Sequence, residues 1–262
     1  VTDSGSYLNE DYLGSNINTK YHEGLASFDN EGNMYISRES FYENEYVKDP
    51  ESNNITSLIG IYKISKGDKN VVALNINSVE YSVKNPSLSS DGKSIYFSSD
   101  MPGGYGNFDI YKGDIDEKGN INNVENLGQK VNTEGQEMFP FIGDKNNLYF
   151  SSDSQLGLGG LDVFFTKEVD GKWASVRNVG IPVNSNADDF AFNINEATGE
   201  GFVSSNRSGG KGSDDIYSIK RLIPICDVLL TANVMDAKTK LGIDSATTSI
   251  SDKEGNIAST KI

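Results

Sequence analysis

The chain has 262 residues, 36% of them hydrophobic and 23% charged, which suits one large or two smaller folded domains and excludes a disordered chain. Its formal net charge of −15 repels nucleic acid and anionic lipid, so neither a DNA- or RNA-binding role nor a direct membrane-surface role is expected. The most apolar run, Leu222–Leu230, is broken by Pro224, Cys226 and Asp227 and is too short to span a bilayer.

Read in chain order, the sequence meets one unit four times. No export-signal pattern opens the chain at Val1, so any such signal is expected to have been removed or to lie outside it. Gly5–Leu13 reads as an outer strand, and residues 1–19 are expected to belong to an upstream or closing blade. A linker follows, Leu13-Gly14-Ser15-Asn16-Ile17-Asn18-Thr19. The first unit, about residues 20–78, contains the strand-like Met34-Tyr35-Ile36-Ser37 and Gly60-Ile61-Tyr62, with an insertion of about 12 residues within Arg38–Leu58 relative to the later copies. The second unit, about 79–131, contains Ile95-Tyr96-Phe97-Ser98-Ser99-Asp100, a Gly-rich turn at Gly103-Gly104-Tyr105-Gly106, and Asp109-Ile110-Tyr111. The third, about 132–184, repeats these as Leu148-Tyr149-Phe150-Ser151-Ser152-Asp153, Gly157-Leu158-Gly159-Gly160 and Asp162-Val163-Phe164. The fourth, about 185–221, has Gly201-Phe202-Val203-Ser204-Ser205-Asn206, Gly209-Gly210-Lys211-Gly212 and Asp215-Ile216-Tyr217. From Ser98 to Ser151 to Ser204, and from Asp109 to Asp162 to Asp215, the interval is 53 residues each time. The linker recurs as Leu127-Gly128-Gln129-Lys130-Val131-Asn132-Thr133 and Val179-Gly180-Ile181-Pro182-Val183-Asn184-Ser185, and in short form as Leu74-Asn75-Ile76-Asn77-Ser78.

Within the third unit the pattern predicts strands over Met138–Ile142, Leu148–Ser151, Asp162–Val169 and Ala174–Val179, with Asp170-Gly171 as a two-residue hairpin turn. Four short strands at a period near 50 predict an all-β fold, a β-propeller of four-stranded antiparallel blades. A strand solenoid is the minor alternative. The fourth unit ends at Tyr217-Ser218-Ile219-Lys220 without a fourth strand. Closure by Gly5–Leu13 would give a four-bladed ring; the preferred expectation is a ring of five, of which four blades are recognisable. A second domain is expected over 222–262: Val228–Val234 and Thr247–Ser251 read as strands, Asp236–Lys240 and Asp252–Asn256 as turns, and so short a segment reads as the opening of a longer domain.

The repeated Asp109, Asp162 and Asp215 invite a catalytic or metal reading, but a residue recurring once per blade most simply ties the Gly-rich turn before it to its own blade. Gly209-Gly210-Lys211-Gly212-Ser213 separates Lys from Ser and does not match a phosphate-binding loop. Asp114, Asp116, Gly119 and Glu125 match positions 1, 3, 6 and 12 of a calcium loop, yet Lys118 stands where an oxygen ligand belongs and the flanks are strands, so a hairpin turn is expected. Cys226 reads as a small buried residue, and the lone His22 gives zinc sites and triads little to work with. No catalytic, cofactor-binding or metal-ligating residue is assigned. A hydrolase would need carboxylates converging in a central channel, for which Glu23, Glu137, Asp188 and Asp189 near the first strands are the candidates; as strand caps and turn residues they need no such role.

The run Asn85–Asp100 resembles the TolB-type, WD-repeat-like propeller unit. Asp100-Met101-Pro102-Gly103-Gly104-Tyr105-Gly106, Glu137-Met138-Phe139-Pro140-Phe141-Ile142, Gly157–Phe164, and Asp188-Asp189-Phe190 followed by Ser204-Ser205-Asn206-Arg207 are similar to the propeller of Bacteroidetes OmpA-family envelope proteins, including the PorE type of type IX secretion. The resemblance covers about Tyr12–Lys220, and the tail resembles the start of a carboxypeptidase-regulatory-like β-sandwich. It implies a periplasmic, outer-membrane-associated protein without enzymatic activity or cofactor. Its partners would be outer-membrane or secretion-complex proteins. Peptidoglycan would be reached only through an OmpA-like domain that this chain does not contain. The function expected is a non-catalytic scaffold; a glycan- or peptide-binding sensor is the alternative.

Overall fold

A computed structural model describes residues 17–19, 21–39, 47–48, 55–68, 70–222, 234–251 and 257–261. The chain divides into two units, Val1–Arg221 and Leu222–Ile262. No helix among the described residues is long and apolar enough to cross a membrane.

The first unit is a β-propeller of four antiparallel blades. Blade 1 is formed by β1 (Glu23–Phe28) and β2 (Met34–Glu39). A short hairpin follows, β3 (Val47–Lys48) with β4 (Ile55–Thr56), inside the sequence insertion. The blade is completed by β5 (Ile59–Ile64) and β6 (Val71–Ala73). Blade 2 is β7 (Val83–Leu88), β8 (Ser94–Ser99), β9 (Asp109–Ile115) and β10 (Ile121–Asn126). Blade 3 is β11 (Glu137–Ile142), β12 (Asn147–Ser152) and β13 (Asp162–Val169), then two short pieces, β14 (Lys172–Trp173) and β15 (Arg177–Asn178), both paired with β13. Blade 4 has three strands, β16 (Asp189–Ile194), β17 (Glu200–Ser205) and β18 (Asp215–Lys220).

The first three strands expected in the third unit are present to within a residue of their bounds. The Asp170-Gly171 turn is also present: Val169 pairs with Lys172 across it, and φ is 51° at Asp170 and 71° at Gly171. The strand expected over Ala174–Val179 is reduced to the two residues of β15. Val179 N still donates to Val163 O (3.1 Å), and Asn184 in the following linker accepts from Val163 N and donates to the same carbonyl.

Blades 2 and 3 each present one apolar face to the blade behind and one to the blade ahead, because side chains alternate along their strands. Tyr35 and Ile61 of blade 1 pack on Val83, Leu88, Ile95, Phe97 and Tyr111 of blade 2. Tyr96 and Ile110 of blade 2 pack on Ile142, Leu148, Phe150 and Phe164 of blade 3. Tyr149 and Val163 of blade 3 pack on Phe192, Ile194 and Val203 of blade 4. The core is thus a series of layers between blades, and the middle strands are buried on both faces.

In the second unit Met235 bridges Gly242 around a turn whose N–H groups at Lys238 and Thr239 donate to Asp236 Oδ1 (3.0 and 2.7 Å). β19 (Thr248–Ser251) pairs antiparallel with β20 (Ile257–Lys261). The expected strand at Val228–Val234 lies, but for its last residue, outside the described residues, as do Gly5–Leu13, Cys226, the turn at 252–256 and most of the insertion.

Candidate functional site

The residues that recur are accounted for by architecture. The Asp109 carboxylate accepts N–H bonds from Tyr105 (2.5 Å) and Gly106 (3.1 Å); Asp162 accepts from Leu158 (2.7 Å) and Gly159 (2.9 Å), and Asp215 from Lys211 (2.8 Å) and Gly212 (3.1 Å). Each Asp therefore folds the Gly-rich turn back onto its own blade. The same geometry explains a glycine per repeat: a Cβ at Gly104, Gly157 or Gly210 would run into that carboxylate. A Cβ at Gly106 or Gly159 would instead run into the linker backbone of the next blade, at Gly135 or Ala187.

The third residue of the Ser-Ser-Asp/Asn run has one job in three blades. Asp100 accepts from Ser82 N (2.7 Å), Asp153 from Gln136 N (2.8 Å) and Asn206 from Asp188 N (2.8 Å). In each case this secures the residue that precedes the blade's first strand.

The four carboxylates considered for hydrolysis all lie where linkers meet first strands, each held within its surroundings. Glu23 accepts from Thr19 N (3.1 Å) and from the Thr19 hydroxyl, and faces Arg38 Nε at 3.8 Å. Glu137 is fully buried and accepts from Thr133 N and Oγ1 (2.7 Å each) and from Ser152 Oγ (2.6 Å). Burial pushes its carboxyl above the usual range, against the pull of those hydrogen bonds, and nearby Asp109 pushes it the same way. Asp189 accepts from Ser185 N (2.5 Å) and is paired with Arg207 (2.5 Å). Asp188 accepts from Leu161 N (2.9 Å) and Asn206 Nδ2 (2.9 Å). Glu23, Glu137 and Asp189 thus occupy equivalent positions on three blades, and blade 2 has Val83 there.

The calcium-loop candidate is the β9–β10 hairpin. Asp116 accepts from Lys118 N (2.9 Å) and Asn120 N (2.8 Å), and Asn120 and Asn122 side chains donate to its other oxygen. The hydrogen bonds from Asn120 lead in lowering its pKa to about 2. Gly119 takes φ 84°. Among the described residues no group of three His, Cys, Asp or Glu side chains is placed to hold a metal ion.

Three hollows are lined by described residues. A central channel cavity of about 360 Å³ is lined by Leu25–Phe28 of β1, Pro86–Leu88 of β7, Phe139–Phe141 of β11 and Ala191–Asn193 of β16, which makes these the innermost strands. All four strands carry a bulge there, and Asn85, Phe139 and Ala191 take φ of 55°, 54° and 52°. For a residue as bulky as Phe139 this is strained backbone, and its ring packs on Phe190 at 5.1 Å between centroids. A second hollow, about 540 Å³, separates Leu25 from the outward face of blade 4 at Ala191, Asn193, Phe202, Ser204, Ile216 and Ser218. The third, about 100 Å³, lies between blades 1 and 2 and includes Glu23, Arg38, Lys84 and Asn85.

Arg38, Lys84 and Asn85 were not singled out from the sequence. The signal was the break in the repeat: Arg38 stands where the other blades have Ser99, Ser152 and Ser205, and Lys84 where they have Gly24, Met138 and Phe190. Exposed apolar side chains also gather at the loop end that carries the Gly-rich turns and linkers: Tyr105, Leu156 (94% exposed), Leu158 and Ile181.

No family model and no curated protein matches the chain. Among solved structures it is similar to a gluconolactonase from Xanthomonas campestris, at 13% identity over 74% of this chain and 55% of that one, with a TM-score of 0.45. It is similar to a GH43 endo-arabinanase from Bacillus licheniformis, at 12% identity over 74% and 71% of the two chains, with a TM-score of 0.45. It is also similar to prolyl oligopeptidase B from Galerina marginata, at 12% identity over 76% and 26%, with a TM-score of 0.45. The chain thus spans about half of the gluconolactonase and a quarter of the oligopeptidase. Likenesses this remote assign no activity to it.

Proposed function

We propose that this propeller is a non-catalytic interaction module that engages a protein partner through its loop end. The observation that carries this reading is the set of exposed apolar loop residues, Tyr105, Leu156, Leu158 and Ile181, on an end whose recurrent Asp and Asn side chains are already engaged in holding the loops. Apolar side chains presented on rigidly held loops are what a protein interface uses as anchors. The resemblance of the repeat to the OmpA-family envelope propeller adds the setting. In this proposal the module is periplasmic, and its partner is an outer-membrane or secretion-complex protein. The tail would open a β-sandwich leading towards a peptidoglycan-binding domain. Affinity capture from mildly solubilised envelopes, with the wild type beside a Leu156→Asp/Leu158→Asp variant, tests it. A partner retained by the wild type and lost by the variant is expected. Capture of nothing, or capture indifferent to the substitutions, would refute the reading.

A glycan- or peptide-binding sensor is the second reading, favoured by the aromatic channel lined by Phe28, Phe139, Phe141 and Phe192, with Phe139 in strained backbone. Calorimetry with muropeptides and oligosaccharides separates the two: saturable heat that a Phe139→Ala substitution abolishes belongs to the sensor alone.

A further inference from the structure

Blade 4 repeats the third strand of the other blades without the segment that closes it. In blades 1 to 3 a third-strand residue, Ile61, Ile110 or Val163, turns its N–H and C=O outward, away from the second strand. A linker asparagine, Asn77, Asn132 or Asn184, accepts from that N–H and donates to that C=O at 2.8–3.0 Å. The residue that follows the fourth strand, Leu74, Leu127 or Val179, donates its own N–H to the same carbonyl at 3.0–3.1 Å. Ile216 is the counterpart in blade 4. It stands opposite Ser204 as Ile110 stands opposite Ser98 and Val163 opposite Ser151. β18 pairs only with β17, and nothing among the described residues bonds the outward N–H or C=O of Ile216.

The linkers also fill the layers between blades. Leu74 and Ile76 are buried in the layer between blades 1 and 2, and Leu127 and Val131 in the next; Val179 and Val183 pack into the layer between blades 3 and 4. On the forward face of blade 4 the corresponding place is the hollow of about 540 Å³, a ligand-sized space lined by Phe202, Ile216 and Ser218, and Ile216 is 75% exposed beside it. The first linker does not serve this face. Ile17 packs on Met34, Ile36, Tyr62 and Ile64 of blade 1, its carbonyl accepts from Arg38 at 3.1 Å, and Thr19 N donates to Glu23. Asn18, the residue equivalent to Asn132 and Asn184, is exposed between them and makes no hydrogen bond with Ile216.

We propose that the outer edge of β18 and the hollow beside it bind an extended segment of a partner polypeptide, added to blade 4 as its fourth strand. The filled sites of the other blades specify the chemistry of the segment. It is a strand followed by the pattern aliphatic, Gly, two variable residues, aliphatic, Asn, as in Leu127–Asn132 and Val179–Asn184. Ile216 offers a donor and an acceptor side by side, which such a segment satisfies together and an ion does not. The backbone of the strand pairs with Ser218 and Lys220, the two aliphatic side chains enter the hollow, and the asparagine closes on Ile216. This is a strand edge, apart from the exposed loop residues of the proposed interface. The inference goes beyond that interface, and its test needs no envelope partner, so either stands if the other fails.

The probe is a synthetic peptide copying Ile121–Asn132, the fourth strand and linker of blade 2, titrated into the full chain and followed by calorimetry and by amide hydrogen exchange at Ile216. Saturable binding with slowed exchange at Ile216 is expected. The same peptide carrying Asn132→Ala should bind at least about tenfold more weakly, because the Ile216 N–H is then covered and unpaired. Ile216→Asp in the protein, at an exposed position, should weaken the unaltered peptide by a similar factor by placing a carboxylate in the hollow. Should that variant fail to fold, the pair of peptides carries the test alone. No binding, equal binding of the two peptides, binding without protection of Ile216, or undiminished binding by the folded Ile216→Asp chain overturns the proposal. In the free chain the Ile216 amide should exchange fast at every protein concentration. Slow exchange in the dilute free chain would give the edge to the chain's own residues, and protection that grows with concentration would give it to a second copy; either result overturns the partner segment.

Discussion

Asp162 shows how a single side chain can look catalytic and be architectural. It is almost completely buried, it recurs at the same place as Asp109 and Asp215, and it receives two backbone N–H bonds from the turn at Leu158 and Gly159. Its partner in sequence is Gly157, where any side chain would strike the carboxylate. The two positions are therefore coupled. Asp162→Ala is expected to cost about 2 kcal/mol through the lost charge-assisted bonds, and Gly157→Ala a comparable amount by displacing the carboxylate. The double variant should lose at least about 1 kcal/mol less than the two together, because the added methyl then has nothing to strike. Urea denaturation of the three variants measures the coupling; strict additivity would show that the close approach is relieved elsewhere.

At the scale of the element, the linkers finish the blades. Asn77, Asn132 and Asn184 each accept from the N–H and donate to the carbonyl of one third-strand residue, Ile61, Ile110 and Val163, at 2.8–3.0 Å. A side-chain amide here imitates the backbone of a neighbouring strand, beside the six-residue β10 as well as beside the short β6 and β15. Asn132→Ala leaves a buried N–H unpaired and is expected to cost about 2–3 kcal/mol. Asn18 occupies the same place in the first linker but is exposed, so Asn18→Ala should change stability by less than about 0.5 kcal/mol. Chemical denaturation of both variants under the same conditions checks the contrast.

Across the whole ring, the blades are not equivalent, and the difference lies at one seam. Val163 on the forward face of blade 3 is 0% exposed beneath Phe192 and Val203, whereas its counterpart Ile216 on blade 4 is 75% exposed beside the hollow that faces Leu25. Burial, not sequence position, sets what each methyl is worth. Val163→Ala is expected to destabilise by about 1–3 kcal/mol and Ile216→Ala by no more than about 0.5. Thermal melts of the two variants test whether the seam is open in solution; equal losses would mean that Ile216 is covered.

The sequence by itself determined the blade. The 53-residue interval, the strand triplets, the Asp170-Gly171 hairpin and the role of the repeated aspartates are set by local alternation and turn chemistry, which act over a few residues and so can be read along the chain. It also determined that the β9–β10 turn would be a hairpin, since Lys118 and Gly119 decide that locally. Only the tertiary structure decided which residues face the channel, which blade face stays open, and that Lys84 and Asn85 meet Arg38 in one hollow. Lys84 and Arg38 lie on different blades, and their departure from the repeat marks them as unusual without saying what surrounds them. Burial and unmet hydrogen bonds belong to the packing of one blade on the next, and that packing joins residues far apart in the chain.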